Sequence, residues 1–374
     1  MNSEVAFKAR RAAVVISRNL DKLKWNSTYE NEKIAVDDKL LKVAVMEDAV
    51  LITNDVYLKV KANIQNIDNR GYGGTEIYTG VRYLNLDFDE NGYNKEFDDL
   101  LAGKTKLPDI RENEYVIIRN KNNKVLDKYT QKEQYETNCN CVYRNGELRV
   151  LQNQGFKNKY VGKVTPKNDE QICLFDALTT SSSSILYAGG SFGVGKSYLL
   201  NNYALWQLEQ GNIRKIVYVP NNAFAANTID IGSLPGDVLS KTVGQIGPLV
   251  DLIGIDQINR KLEEEELEVV PMGFMRGRNF TDSIIIVNEA QNLTEDHIKL
   301  LIGRCGQGSR IFFDGDLKQT DSEIFKNKSG LKLLLHLSES PEFSKIFSTV
   351  RLQSVERSIT ARAADYLDNL LGNI

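Results

Sequence analysis

Gly190, Ser191, Phe192, Gly193, Val194, Gly195, Lys196 and Ser197 read in order as G-x-x-x-x-G-K-[ST], and this run constrains the fold more than any other part of the chain. An apolar stretch, ILYAG, leads into it, and SYLLNNYALWQLEQ, with a helical spacing of apolar residues, leads out. Strand, glycine loop and helix in that order form a phosphate cradle. The glycines let the backbone turn its N–H groups and the helix amino terminus toward phosphate oxygens, Lys196 reaches the β- and γ-phosphates, and the Ser197 hydroxyl takes Mg²⁺. The expected cofactors are therefore ATP and Mg²⁺.

The surrounding sequence predicts the matching architecture. KIVYVP, IIIVNEAQN and RIFFDGD are apolar runs that end in polar residues, as buried parallel strands do where they meet their loops. In an open parallel sheet, ligands bind beyond the carboxyl ends of the strands, where these polar endings fall. Asn288 and Glu289 close the second run. Glu289 is the candidate to polarise an attacking water, and both are candidates to help Ser197 hold Mg²⁺. Asn288 stands where an aspartate is usual; its amide accepts a hydrogen bond but carries no charge. FFDGDLKQTD places Asp316 and Gln319 as candidate sensors of the γ-phosphate. GFMRGRNF contributes Arg276 and Arg278, and VERSIT contributes Arg357, each a candidate arginine finger or phosphate contact.

At 374 residues the chain exceeds a single compact domain. Residues 1–66 alternate helical and strand-like runs, the turn-rich stretch from Ile64 to Gly80 reads as a boundary, and residues 67–160 carry short alternating runs of a small β-rich module. Asn145-Gly146 between β-formers marks a hairpin. Residues 161–374 hold the nucleotide-binding core. The stretch GFKNKYVGKVTPK sets four lysines beside Phe156 and Tyr160, readable as a solvated connector or as an edge that contacts nucleic acid. No run reaches the roughly 20 apolar residues of a membrane span, and no cleavable leader is apparent, so a cytoplasmic protein is expected. Two histidines and four cysteines without paired spacing offer no zinc pattern. The net charge of −3 gives no global signal for nucleic acid.

PKNDEQ, GGSFGVGKS, LPGD, MRGRNFTDSIIIVNEAQN, GDLKQTD and VERS, taken in order, resemble the PhoH family of ATPases over residues 165–365. The resemblance implies a P-loop NTPase core with a parallel sheet and flanking helices, similar to that of superfamily-one helicases, often hexameric, with adenine contacted near Gln171. Two departures stand out: Asn288 replaces the family's aspartate, and PNNAF lacks the arginine common after the strand KIVYVP. The earlier segment DDKLLKVAVMEDAVLITNDVYLKVKA resembles the latter half of a PIN nuclease domain, with Asp38 and Asp55 as two of its metal-binding acids. The first strand of such a domain has no counterpart here, so this partial PIN-like segment is expected to be inactive as a nuclease by itself. The resulting expectation is an ATPase of helicase type linked to single-stranded nucleic acid, RNA before DNA. The competing expectation is an ATP-dependent switch that hydrolyses weakly because of Asn288.

Overall fold

The computed structural model describes residues 41, 44–45, 51–52, 62, 67–70, 78–126, 133–152, 155–180, 183–220, 246–317 and 329–354. The chain divides into two compact units, Met1–Ile77 and Tyr78–Ile374. In the first, β1 (Leu51–Ile52) pairs in parallel with β2 (Asn69–Arg70). Leu41, Ala44, Leu51, Ala62 and Ile67 form its small described core. Parallel pairing requires a crossover between the two strands, in keeping with the predicted alternation of strand and helix.

The second unit is built on two large sheets and a two-stranded hairpin. The first runs β3 (Val81–Leu86), β4 (Glu114–Leu126), β5 (Glu133–Arg144) and β6 (Glu147–Val150), with β3 parallel to β4 and the remaining pairs antiparallel. Asn145 and Gly146 join β5 to β6, both with positive φ, the conformation a two-residue hairpin requires. Side chains alternate across β4. Val116 and Ile118 pack with Leu86, Phe88 and Leu100 of helix α1 (Lys95–Leu101), whereas Tyr115 and Ile117 join the core around helix α2 (Asp169–Thr179). Polar contacts reinforce that second face. Thr137 Oγ1 and Asn140 Nδ2 donate to Asp169 at 2.7 and 3.0 Å, and Arg144 and Tyr115 both donate to Asp176 Oδ2, at 2.8 and 2.9 Å.

The second sheet is α/β and entirely parallel. Its strands are β9 (Ile185–Gly189), β10 (Lys215–Val219), β11 (Leu267–Val269), β12 (Ser283–Val287), β13 (Arg310–Gly315) and β14 (Phe347–Arg351), in the spatial order β11-β10-β12-β13-β9-β14. Helix α3 (Lys196–Glu209) follows the glycine loop. Both faces are buried: Leu186, Ala188, Ile284, Ile286 and Phe312 belong to one core, and Ile185, Tyr187, Ile285, Val287, Ile311 and Phe313 to the other. This is the pattern of a parallel sheet covered on both sides, and it explains why the strands read as unbroken apolar runs.

The lysine-rich stretch 155–167 is not an open connector, and Phe156 takes no part in an exposed edge, while Lys157, Lys159, Lys163 and Lys167 are exposed. β7 (Phe156–Asn158) and β8 (Gly162–Val164) form a hairpin, and Phe156 is buried between Phe175 and Trp206, each with its ring centroid 5.0 Å away. Phe156 is therefore a core residue, unable to stack on a base. Among the described residues no helix is long and apolar enough to cross a membrane.

Candidate nucleotide-binding site

β9 delivers the chain to the cradle, and two glycines there adopt backbone conformations that strain any other residue. Gly190 has φ 134°, and a Cβ on it would lie 2.2 Å from the Leu352 carbonyl oxygen. Gly195 has φ 94°, and its Cβ would lie 2.8 Å from Gln171 Nε2. Gly195 is also the N-cap of α3, so no side chain satisfies the first-turn N–H groups, and no acid occupies that turn. A helix amino terminus left open in this way is suited to an anion.

Lys196 and Ser197 open α3 at the floor of a cleft of about 270 Å³, lined also by Thr165, Lys167, Gln171, Phe192, Gly193, Tyr198, Glu289 and Asp314. The Lys196 ammonium donates to the Gly190 and Ser191 carbonyls at 2.7 and 2.9 Å and lies 3.7 Å from Asp314 Oδ1. Ser197 Oγ donates to Asp314 Oδ2. Gln171 is buried; its amide donates to Val194 O at 2.9 Å and accepts the Lys167 N–H at 3.0 Å, bracing the loop from behind. Phe192 and Tyr198 are exposed. Burial pushes the Asp314 carboxyl above the ordinary carboxylate range, opposed by the Lys196 charge and the Ser197 hydrogen bond.

Glu289 follows β12 in the left-handed region, with φ 52° and ψ 47°, a conformation that costs a non-glycine residue about 1–2 kcal/mol and abruptly ends the strand. The Gln291 amide donates to the Glu289 carboxylate, and Gln291 Oε1 accepts the Asp316 N–H at 3.1 Å. Gln291 thus spans the ends of β12 and β13.

Of the sequence-predicted residues, the cleft unites Phe192, Gly193, Gly195, Lys196, Ser197, Gln171 and Glu289. Gly190, Ser191 and Val194 complete the loop behind it, their carbonyls bonded to Lys196 and Gln171, and the remaining residues fall elsewhere. Asp316 is buried, with its backbone held by Gln291, and the acid that faces the cleft is Asp314, two residues earlier. Arg278 pairs with Glu268 at 2.7 Å, and Arg276 is exposed; neither lines the cleft. Asn288 donates its backbone N–H to Val219 O at 3.2 Å. Gln319, Arg357, Asp38 and Asp55 lie outside the described residues, as do LPGD and residues 221–225. Asp314 and Gln291 were missed from sequence. An acid inside the otherwise apolar run RIFFDG was the available signal for the first.

The donor set suits a nucleoside triphosphate with a hard divalent cation: an ammonium, open helix N–H groups, a hydroxyl and carboxylates. Among the described residues no group of three or more His, Cys, Asp or Glu side chains is placed to hold a metal, but Mg²⁺ on a nucleotide needs only one or two carboxylates besides phosphate.

A family model described as PhoH-like protein matches residues 163–367, more than half of the 374. The chain belongs to this PhoH-like family. A PhoH-like protein of Bacillus subtilis (strain 168) is 34% identical over 143 residues, covering 37% of this PhoH-like chain and 44% of the relative. Protein PhoH2 of the same organism is 25% identical over 363 residues, covering 91% and 78%. Protein PhoH of Escherichia coli (strain K12) is 25% identical over 201 residues, covering 52% and 55%. The chain thus spans about half the length of the first and third of these relatives. Among solved structures, the Pif1 helicase of Candida albicans matches at 20% identity with a TM-score of 0.30, covering 55% of this chain and 44% of that one, too slight a likeness to carry an argument.

Proposed function

We propose that this PhoH-like chain binds ATP with Mg²⁺ in the cleft and hydrolyses it, and that hydrolysis is coupled to single-stranded nucleic acid, RNA before DNA. The observation that carries the reading is the convergence of Lys196, Ser197, Glu289 and Asp314 on one cleft at the carboxyl ends of the parallel strands. The open amino terminus of α3 and the Lys196 ammonium receive the phosphates. Glu289, held by Gln291, accepts a proton from the attacking water. Ser197 would help hold Mg²⁺, which when bound would supply charge neutralisation to the triphosphate. Support for a nucleic-acid partner comes from the loop between β11 and β12, where Phe274 is 72% exposed and Arg276 is exposed beside it. An aromatic face next to a guanidinium stacks on bases and pairs with phosphate regardless of sequence. Assembly as a hexamer belongs to the same proposal.

Turnover of ATP with and without single-stranded RNA or DNA tests it, with Lys196→Ala as the blank. Glu289→Gln is expected to lower turnover by about 10²–10⁴-fold. Stimulation by RNA that Phe274→Ala diminishes is the expected result. Equal turnover with and without any polynucleotide would refute the coupling. Tight ATP binding with negligible turnover throughout would instead favour a nucleotide-dependent switch, the reading that Asn288 invites.

A further inference from the structure

Asn288 ends the strand that would ordinarily bring an acid to the metal, yet the cleft contains a carboxylate at the same level one strand nearer the cradle. β12 and β13 run parallel with Val287 opposite Phe313, so the next residues along each are Asn288 and Asp314. Asp314 in turn pairs with Ala188 of β9, immediately before the glycines. β13 thus lies between β12 and the cradle strand. Asp314 shares its strand face with Phe312, which is fully buried in the core, so the acid forms the polar end of an apolar layer. It is 4% exposed, and both its oxygens face the cradle, one accepting from Ser197 Oγ and the other 3.7 Å from Lys196 Nζ.

We infer that Asp314 is the carboxylate of the Mg²⁺ site in this chain, supplying from β13 the charge that Asn288 lacks. The inference rests on the nucleotide-binding reading above. Its basis is position and donor chemistry. A buried carboxylate is costly without charge compensation, and Asp314 spends its hydrogen bond on the hydroxyl that the cradle motif assigns to the cation. Serine hydroxyl and carboxylate are both hard oxygen donors, and with the nucleotide phosphates they make a sufficient set for Mg²⁺. The Asn288 amide, one strand farther out, is left to hold water.

The test measures binding of a fluorescent, N-methylanthraniloyl-labelled ATP in Mg²⁺ and in EDTA, and reads the ratio of the two affinities within each variant. Wild type is expected to bind on the order of tenfold tighter with Mg²⁺, since even an outer partner that only orients a metal's ligands is worth about 10–100-fold in metal affinity. In Asp314→Asn the ratio falls to near one, and adding Asn288→Asp to that variant restores it. Asn288→Asp alone, which leaves Asp314 and its Ser197 contact in place, leaves the ratio at the wild-type value. Should Asp314→Asn not fold, this last variant decides: a tenfold rise in its ratio would show that the site lacked its charge and would overturn the assignment. A wild-type ratio near one, or an unchanged ratio in folded Asp314→Asn, overturns the assignment alone. No binding by wild type in either buffer overturns the nucleotide reading, and the assignment with it.

Discussion

Arg310, the first residue of β13, grips the carboxyl end of helix α2, which has no basic residue of its own in its last turn. Its Nε donates to Ser183 O at 2.8 Å, Nη1 to Leu178 O at 2.6 Å and Tyr203 Oη at 3.0 Å, and Nη2 to Ala177 O at 2.9 Å. Replacing it with methionine keeps an unbranched stem of similar length and removes every donor. Charge-assisted bonds contribute roughly 1.5–3 kcal/mol each before desolvation. Burial draws the guanidinium below its ordinary pKa, so part of that gain is returned as desolvation. Three carbonyls would then lose their partner, and the helix would lose the cation at its negative end. A net loss of about 3 kcal/mol is expected for Arg310→Met, and about half of that for Arg310→Lys, which keeps the charge without the planar fork. For a unit spanning Tyr78–Ile374, that corresponds to a fall in Tm of roughly 5 °C for the methionine variant. Trp206 packs against Phe156 in the same core and reports unfolding of the second unit when Trp25→Phe removes the other tryptophan. Hydrogen exchange adds a local readout, because amides in the last turn of α2 should exchange faster. A methionine variant that melts within about 2 °C of the parent, with unchanged exchange in α2, would refute the reasoning.

Asn113 ties β4 to the approach of β14: its amide donates to the Ser344, Lys345 and Phe347 carbonyls at 2.8, 3.2 and 3.2 Å, and its Oδ1 accepts from Arg144 Nε at 2.9 Å. Asn113→Ala is expected to cost about 3 kcal/mol, and Asn113→Gly about 1 kcal/mol less because φ is 61° there; equal losses in thermal unfolding would remove strain from the account. Gly190→Ala should destabilise more than Gly195→Ala, by at least about 1–2 kcal/mol in the same assay. The new Cβ meets rigid backbone at the first position and the end of a flexible glutamine at the second.

The cradle was legible because its chemistry is local: spacing alone specifies where glycine, lysine and serine must stand. The Asn145-Gly146 hairpin was legible for the same reason. Asp314 was not, because FFDGD offers two acids, and which one faces the cleft depends on register with β9, set by residues more than a hundred positions earlier. Phe156 was misread in a related way. Lys157, Lys159 and Lys163 describe the outside of a hairpin, while Phe175 and Trp206, which bury its ring, come from two helices that follow it. Gln291 was passed over because its role exists only where two strand ends meet.

Helix α2 is clamped along its whole length. Gln171 near its start is bonded to the cradle, Asp169 and Asp176 to β5, and its last carbonyls to Arg310. One continuous run of hydrogen bonds therefore joins the phosphate loop to the four-stranded sheet, from the Val194 carbonyl through Gln171 and the helix to Asp169 and Asp176, so the two parts of the unit share a structural element.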